Sequence, residues 1–301
     1  MKLTVAAAGL LLLCGGSIPA QTQTPDSGST SPLVAWYHDQ YPFISMNDSI
    51  YTFESEFTVP EGYFRPDSSE LTPFQNWISR FPIWHQYKAV GIWKGGKAFE
   101  KDQVSRVVHI PWRGPTYTDV GFPLRILSEY CRRNCTEFGL RFVTKGDGDT
   151  LDYARWLKSK EAISALGSPR LVPAPERDSS EFEFYRFLNM AMQHQTYRSL
   201  AANGDSLSAE QVRPGDLLVG HDDRGRTGKA YVILNMLVND LGDRLYAVAT
   251  GCPAPDACDF HIPLVTLDRS FPWLTQVQLE ALVNEYPHWG YIRLRIPEPT
   301  S

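Results

Sequence analysis

The stretch that most restricts the fold is "VRPGDLLVGHDDRGRTGKAYVIL", Val212 to Leu234. A Pro-Gly-Asp turn leads into a short apolar run, a polar loop holding Gly225 and Gly228 follows, and a second apolar run begins at Ala230. Apolar runs of strand length separated by turn residues read as a β-hairpin, so the chain must supply an antiparallel sheet and something to cover it.

What covers it is suggested by the rest of the sequence. In "SSELTPFQNWISRFPI" polar capping residues precede Phe74, Trp77 and Ile78 at helical spacing, and the helix should end before Pro82. "AVGIWKGGKAFEK" has the Gly-Gly centre of a two-residue hairpin loop, and "QVSRVVHIPW" reads as a strand. In "TYTDVGFPLRILSEYCRRNC" Thr118 or Asp119 can cap, Pro123 is tolerable in a first turn, and Leu124, Leu127 and Cys131 share one face. "LRFVTKGDGD" reads as strand and turn, and the segment from Thr150 to Pro175 as part helix, part loop. "SSEFEFYRFLNMAMQHQTYRSLAANGD" predicts one long helix with Gly204 as terminator. A strand "RLYAVATG", a cysteine loop, a helix-like run and a final strand complete an α+β class.

Upstream, Lys2, the apolar "LTVAAAGLLLLC" and the small Ala20 before Gln21 predict a secretory signal over 1–20. The run is short for a membrane span, no other window approaches one, and Leu13 before Cys14 argues against a lipid anchor there. "QTQTPDSGSTSP", 21–32, reads as a flexible spacer, 33–62 as an N-terminal extension, and 63–297 as a single α+β domain. Apolar residues make up 43 % of the chain, enough to build its core. The expected location is outside the cytoplasm, in the periplasm or beyond the cell. Formal charge is −5, one unit more negative once Lys2 is removed, and both signs are mixed along the chain. That balance gives no electrostatic case for nucleic acid or an anionic membrane. Cofactors and metals are not expected.

Export and an even count favour disulfides for Cys131, Cys135, Cys252 and Cys258. Local pairs are the expectation, although three connectivities are compatible with the sequence. A four-cysteine zinc site is disfavoured by the spacing from Cys252 to Cys258.

From about Tyr63 to Arg295 the chain resembles the bacterial family known as domain of unknown function 4846. That family has a "D-L-Q-Q-C-A-D-A" helix start, a "GD...G-G-x-P-G-H-A-V-I-V-V-D" hairpin and an "A-Q-S-Y-M-P-A-Q" strand end. The corresponding stretches here are "DVGFPLRI", "PGDLLVGHDDRGRTGKAYVILN" and "ATGCPAPDA". The order is similar to that of papain-like, NlpC-type amidases that cut cell-wall peptides. Such a site needs a thiol at a helix N-terminus, a histidine on a neighbouring strand, and a third polar group to orient it.

The resemblance puts Pro123 at the thiol position, Lys229 at the histidine position, Asn235 at the following acidic position and Thr250 at the glutamine position. All four positions have lost their chemistry. Cys131 stands eight residues beyond Pro123, about 12 Å down a helix, and cannot take its place. His221, near Lys229, is the rescue candidate, and His261 reads as a strand-edge histidine. Lys229 is either a desolvated base or an ordinary surface lysine. Acid pairs such as Glu181 with Glu183, or Asp222 with Asp223, are the residues a glycosidase would use, but adjacent acids usually cap or face solvent. No Gly-x-Ser-x-Gly, His-Glu-x-x-His or phosphate-loop pattern occurs.

Three readings follow. The first is an exported pseudoenzyme whose old groove, lined by Trp112, Tyr117 and Trp273, binds peptidoglycan or an envelope partner. The second is an active hydrolase using His221 or Lys229 with a carboxylate such as Asp222. The third is a purely structural surface protein.

Overall fold

The computed structural model describes residues 39–43, 51–85, 87–111, 114–134, 136–145, 150–163 and 169–297. The predicted leader and spacer, together with Trp112 and Cys135, lie outside them. One antiparallel sheet organises the rest. Its main strands are β1 (Tyr63–Phe64), β2 (Gly204–Leu207), β3 (Leu217–His221), β4 (Gly228–Asn239), β5 (Arg244–Ala249), β6 (Leu274–Thr275) and β7 (His288–Leu294). Their order is β2-β7-β3-β4-β5-β6, with β1 paired to the far end of β4.

The opening hairpin is β3–β4, in a register that sets Gly220 opposite Lys229 and His221 opposite Gly228. Gly228 is required there: a Cβ would stand 2.2 Å from the Gly220 carbonyl oxygen. Side chains of β4 alternate between two cores, Ala230, Val232 and Leu234 in the larger and Tyr231 and Ile233 in the smaller. A bulge between Ile233 and Asn235 resets this alternation, so that Met236 joins the smaller core and Leu237 the larger.

Five helices matter for the site: α1 (Pro73–Ser79), α2 (Gly121–Arg133), α3 (Glu181–Gln193), α4 (Tyr197–Ala202) and α5 (Gln276–Ala281). In α1, Thr72 and Gln75 form a reciprocal capping box with Pro73 in the first turn, and Phe74, Trp77 and Ile78 are buried as their spacing predicts. In α2 the buried residues run without interruption from Gly121 to Glu129, so this helix passes through the larger core. Burying Arg125 there requires a partner: its Nε lies 2.6 Å from Glu129 Oε1, and the Tyr185 hydroxyl donates to the same carboxylate oxygen at 2.7 Å. Helix α5 covers the smaller core through Leu279.

The expected long helix is two. Helix α3 ends at His194, and Thr196, in an extended conformation, opens α4 with a capping box to Ser199. Thr196 and Ser199 offer the backbone a new helix start, which a period of apolar residues does not reveal. Gly204 directly follows Asn203, the C-cap of α4, and opens β2, where a Cβ would meet the Arg293 carbonyl oxygen at 2.3 Å. The segment read as helix and loop after Thr150 holds one helical turn, Tyr153–Trp156, and a hairpin of Ser159–Ile163 with Pro169–Pro173.

Tyr41, Phe53 and Phe57, in the stretch read as an extension, are buried in the larger core. Among the described residues no helix is long and apolar enough to cross a membrane.

Candidate functional site

The N-terminus of α2, the start of β4 and the end of β5 meet at one cavity of about 900 Å³. The contact is close because Gly251, two residues past the end of β5, has no side chain: a Cβ there would fall 2.9 Å from the Asp119 amide nitrogen. Just past Gly251, Cys252 accepts the Asp119 N–H at 3.1 Å and is bonded to Cys258 in a disulfide. A seven-residue covalent loop therefore forms part of the wall next to the helix start.

Asp119 is the centre of this junction. Its Oδ1 accepts the Val120 N–H at 2.9 Å, and its Oδ2 accepts the Tyr197 hydroxyl at 2.9 Å and the Ala230 N–H at 3.3 Å. One carboxyl group thus ties α2, α4 and β4 together. It is only 3 % exposed, and burial outweighs these three hydrogen bonds, pushing its pKa from 3.8 up to about 7. The remaining orphan donors of the helix start are also taken, since Gly121 and Phe122 donate to the Thr118 carbonyl and Pro123 has no N–H.

Around Asp119 the cavity is aromatic, with Tyr197, Tyr231, Tyr286 and Phe99 on its walls. His261 also lines it, and the backbones of Thr250 and His261 exchange hydrogen bonds at 2.9 Å. The His261 Nδ1 lies 2.9 Å from the Asp259 carbonyl oxygen, which can only accept, so the proton sits on Nδ1. Burial lowers the pKa of His261 and keeps the ring neutral. Lys145, Arg226 and Lys229 bring positive charge to the same cavity.

The residues singled out in sequence separate accordingly. Lys229 and Thr250 line the cavity; Pro123 and Asn235 do not. Pro123 is buried in the first turn of α2. Asn235 sits at the β4 bulge, donates to the Ser79 carbonyl at 3.0 Å and borders a different depression. Thr250 Oγ1 donates to the Ala230 carbonyl at 2.7 Å. Lys229 pairs with Glu285 at 2.9 Å, both side chains about half exposed, and this hydrogen bond raises the lysine pKa. A lowered pKa, which a lysine base needs, is not what this environment provides.

His221 is outside the cavity lining, with its Nδ1 2.7 Å from the Asp222 carbonyl oxygen. The Asp222 carboxylate accepts the Arg226 and Thr227 N–H groups in the β3–β4 loop, and Asp223 pairs with His288. Glu183 is held between Arg177 and Arg186. Tyr117 and Trp273 are core residues, not groove residues; the Trp273 indole donates to the Thr58 carbonyl. Of the expected Cys131–Cys135 pair, Cys135 lies outside the described residues. Cys131 is a free thiol, fully buried on the inner face of α2, and burial raises its pKa to about 12. Cys252–Cys258 follows the local pairing.

In the sequence Asp119 reads only as a cap, and Tyr197 and Tyr286 carry no site signal. Neither Thr118 nor Asp119 is the N-cap residue, which is Val120; Thr118 Oγ1 accepts the Gly121 N–H at 3.3 Å, and the Val120 N–H is accepted by Asp119. The burial of Asp119 is contributed by residues more than seventy positions away, which no local pattern contains.

The molecule is thus a mixed α+β domain with one cavity where helix start, hairpin and strand end converge. The chain belongs to the family described as domain of unknown function (4846), whose model matches residues 53–293. No curated protein and no solved structure matches it.

Proposed function

We propose that this chain is an exported, non-hydrolytic binding protein of the cell envelope, built on a papain-like amidase plan, that holds its ligand in the cavity between α2 and β4. The observation that carries this reading is the occupant of the helix mouth. A papain-like thiolate is generated by the positive end of its helix. Here a carboxylate of the chain itself, Asp119, accepts the N–H of the N-cap residue Val120 directly before the helix, the first helical N–H, that of Gly121, goes to the Thr118 carbonyl, and Pro123 stands buried at the thiol position. Among the described residues lining the cavity, the one cysteine, Cys252, is in a disulfide.

The hydrolase alternative needs His221, Lys229 and Asp222 to converge within about 3 Å. Their polar atoms instead engage separate partners. The structural-protein alternative gives no role to a concave cavity of about 900 Å³ with aromatic walls.

Incubating the purified protein with peptidoglycan fragments tests the proposal, with cleavage read by mass spectrometry and retention by pull-down from the same tubes. Retention without cleavage is expected. Cleavage abolished by Lys229→Ala or His221→Ala would overturn it.

A further inference from the structure

The polar groups of the cavity are sorted by sign and depth. Apart from the tyrosines and Gln195, whose amide nitrogen and oxygen are both taken within the chain, the polar side chains nine-tenths or more buried are Asp119 and His261, each 3 % exposed, and both present acceptors. A carboxylate has room for about four hydrogen bonds, and Asp119 uses three. His261 has its proton committed to the Asp259 carbonyl, which leaves Nε2 as an acceptor. With Asp119 ionised and His261 neutral, neither has a hydrogen to give the other.

The exposed groups are cations: Arg226 and Lys229 on the β3–β4 hairpin, and Lys145 from another segment. Among the described residues Arg226 has no ion-pair partner. Its backbone is held in place, because Asp222 accepts the N–H groups of Arg226 and Thr227 while the Asp222 N–H closes the loop on the Thr227 carbonyl.

We propose that the cavity takes a short peptide carrying both a free amino terminus and a free carboxylate, its ammonium turned inward to Asp119 and His261 and its carboxylate outward to Arg226 and Lys229. An ammonium supplies further donors to two buried acceptors, and the rings of Tyr197, Tyr231 and Tyr286 line the same cavity, where aromatic surroundings favour a cation. The planar fork of Arg226 matches a carboxylate. A cavity of about 900 Å³ suits a ligand of this size. The inference rests on the binding reading above and gives that ligand a class and a direction.

The orientation sets a pH dependence. The ionisable groups that interact with Asp119 are Tyr197 from α4, Tyr231 from β4 and Tyr286 from the segment before β7, and Lys229 and His261 share the cavity with it. The tyrosines have raised pKa values and stay neutral, Lys229 stays charged, and burial lowers the pKa of His261 so that its ring stays neutral, which leaves Asp119 as the group that changes. Affinity should fall as pH drops below about 7, where Asp119 takes up its proton.

The test is titration calorimetry of the full chain with alanyl-glutamate, its N-acetyl derivative, and the form with both carboxylates amidated, at roughly pH 7.5 and roughly pH 5.5. N-acetylation should weaken binding by about tenfold or more, and acidification should weaken only the free-amine ligands. Amidation should weaken binding by about threefold or more and abolish its salt dependence. Asp119→Asn should erase the preference for a free amine. Arg226→Gln, on an exposed loop where folding is not at stake, should erase the preference for acid over amide. Equal binding of free and acetylated peptide refutes the inference, as does binding of none of the three at millimolar concentration. If peptidoglycan fragments are still retained in either case, only the ligand class and direction fall; if they are not, the binding reading falls with them.

Discussion

Asp119→Asn should remove a pH dependence of folding stability that runs opposite to the usual acid-side loss. In the unfolded chain this carboxyl titrates near 3.8, and in the folded protein burial moves it to about 7. Between those values the native state holds a proton that the unfolded state has released, so unfolding stability falls as pH rises across the window and is level above it. Each pH unit is worth about 1.36 kcal/mol, so the full shift of about three units corresponds to about 4 kcal/mol. From roughly pH 5 to roughly pH 8 the wild type should lose about 2–3 kcal/mol that the asparagine variant does not lose. His194 and His261 act in the other direction, since burial lowers their pKa values and their neutral forms favour the fold as pH rises past about 6.5. The difference between the two proteins cancels those contributions. The assay is urea denaturation followed by tryptophan fluorescence at constant ionic strength and several pH values. If the variant and the wild type keep a constant difference in stability between pH 5 and pH 8, the three hydrogen bonds to Asp119 outweigh its desolvation and the reasoning is wrong.

Three further outcomes follow from the packing. Replacing Cys252 and Cys258 together by serine opens a seven-residue loop and should cost about 2 kcal/mol in chemical denaturation; no loss would mean the loop is held by its hydrogen bonds alone. Trp156→Ala empties a fully buried site between Phe187 and the Arg177 guanidinium and should cost about 3–5 kcal/mol, read as a lowered urea midpoint. A cysteine placed by Pro123→Cys should react with a small aromatic disulfide reagent far more slowly in the native protein than in urea, because position 123 is buried and outside the cavity; native-state reactivity matching that of a free thiol would place the position at an open helix mouth.

The hairpin, the capped α1 and the core face of α2 were legible because their causes are local. Glycine turns, Thr72 with Gln75, and Leu124 with Leu127 and Cys131 state their structure within a few residues. The family resemblance then ordered the helix start, the hairpin and the strand end, and these three do meet at the cavity. What could not be read is long-range. The break before Thr196 uses residues that look like ordinary helix surface, and the bulge that turns Asn235 away toward Ser79 leaves no signature in an apolar run. Tyr117 and Trp273 illustrate the same limit, since an aromatic residue near a site in sequence is as easily core as wall.

The cavity also has a history in the making of the molecule. Its walls are drawn from Phe99, the start of α2, the turn before α4, the β3–β4 hairpin, the disulfide loop and Tyr286. Contacts of such wide sequence separation form only after most of the chain is available, since each closure costs loop entropy before it is rewarded. A chain cut before Tyr286 lacks one wall, and it also lacks β7, which pairs with both β2 and β3. The cavity is therefore completed at the end of folding, and under the binding function proposed above ligand capture would report on completed molecules rather than on partly folded ones.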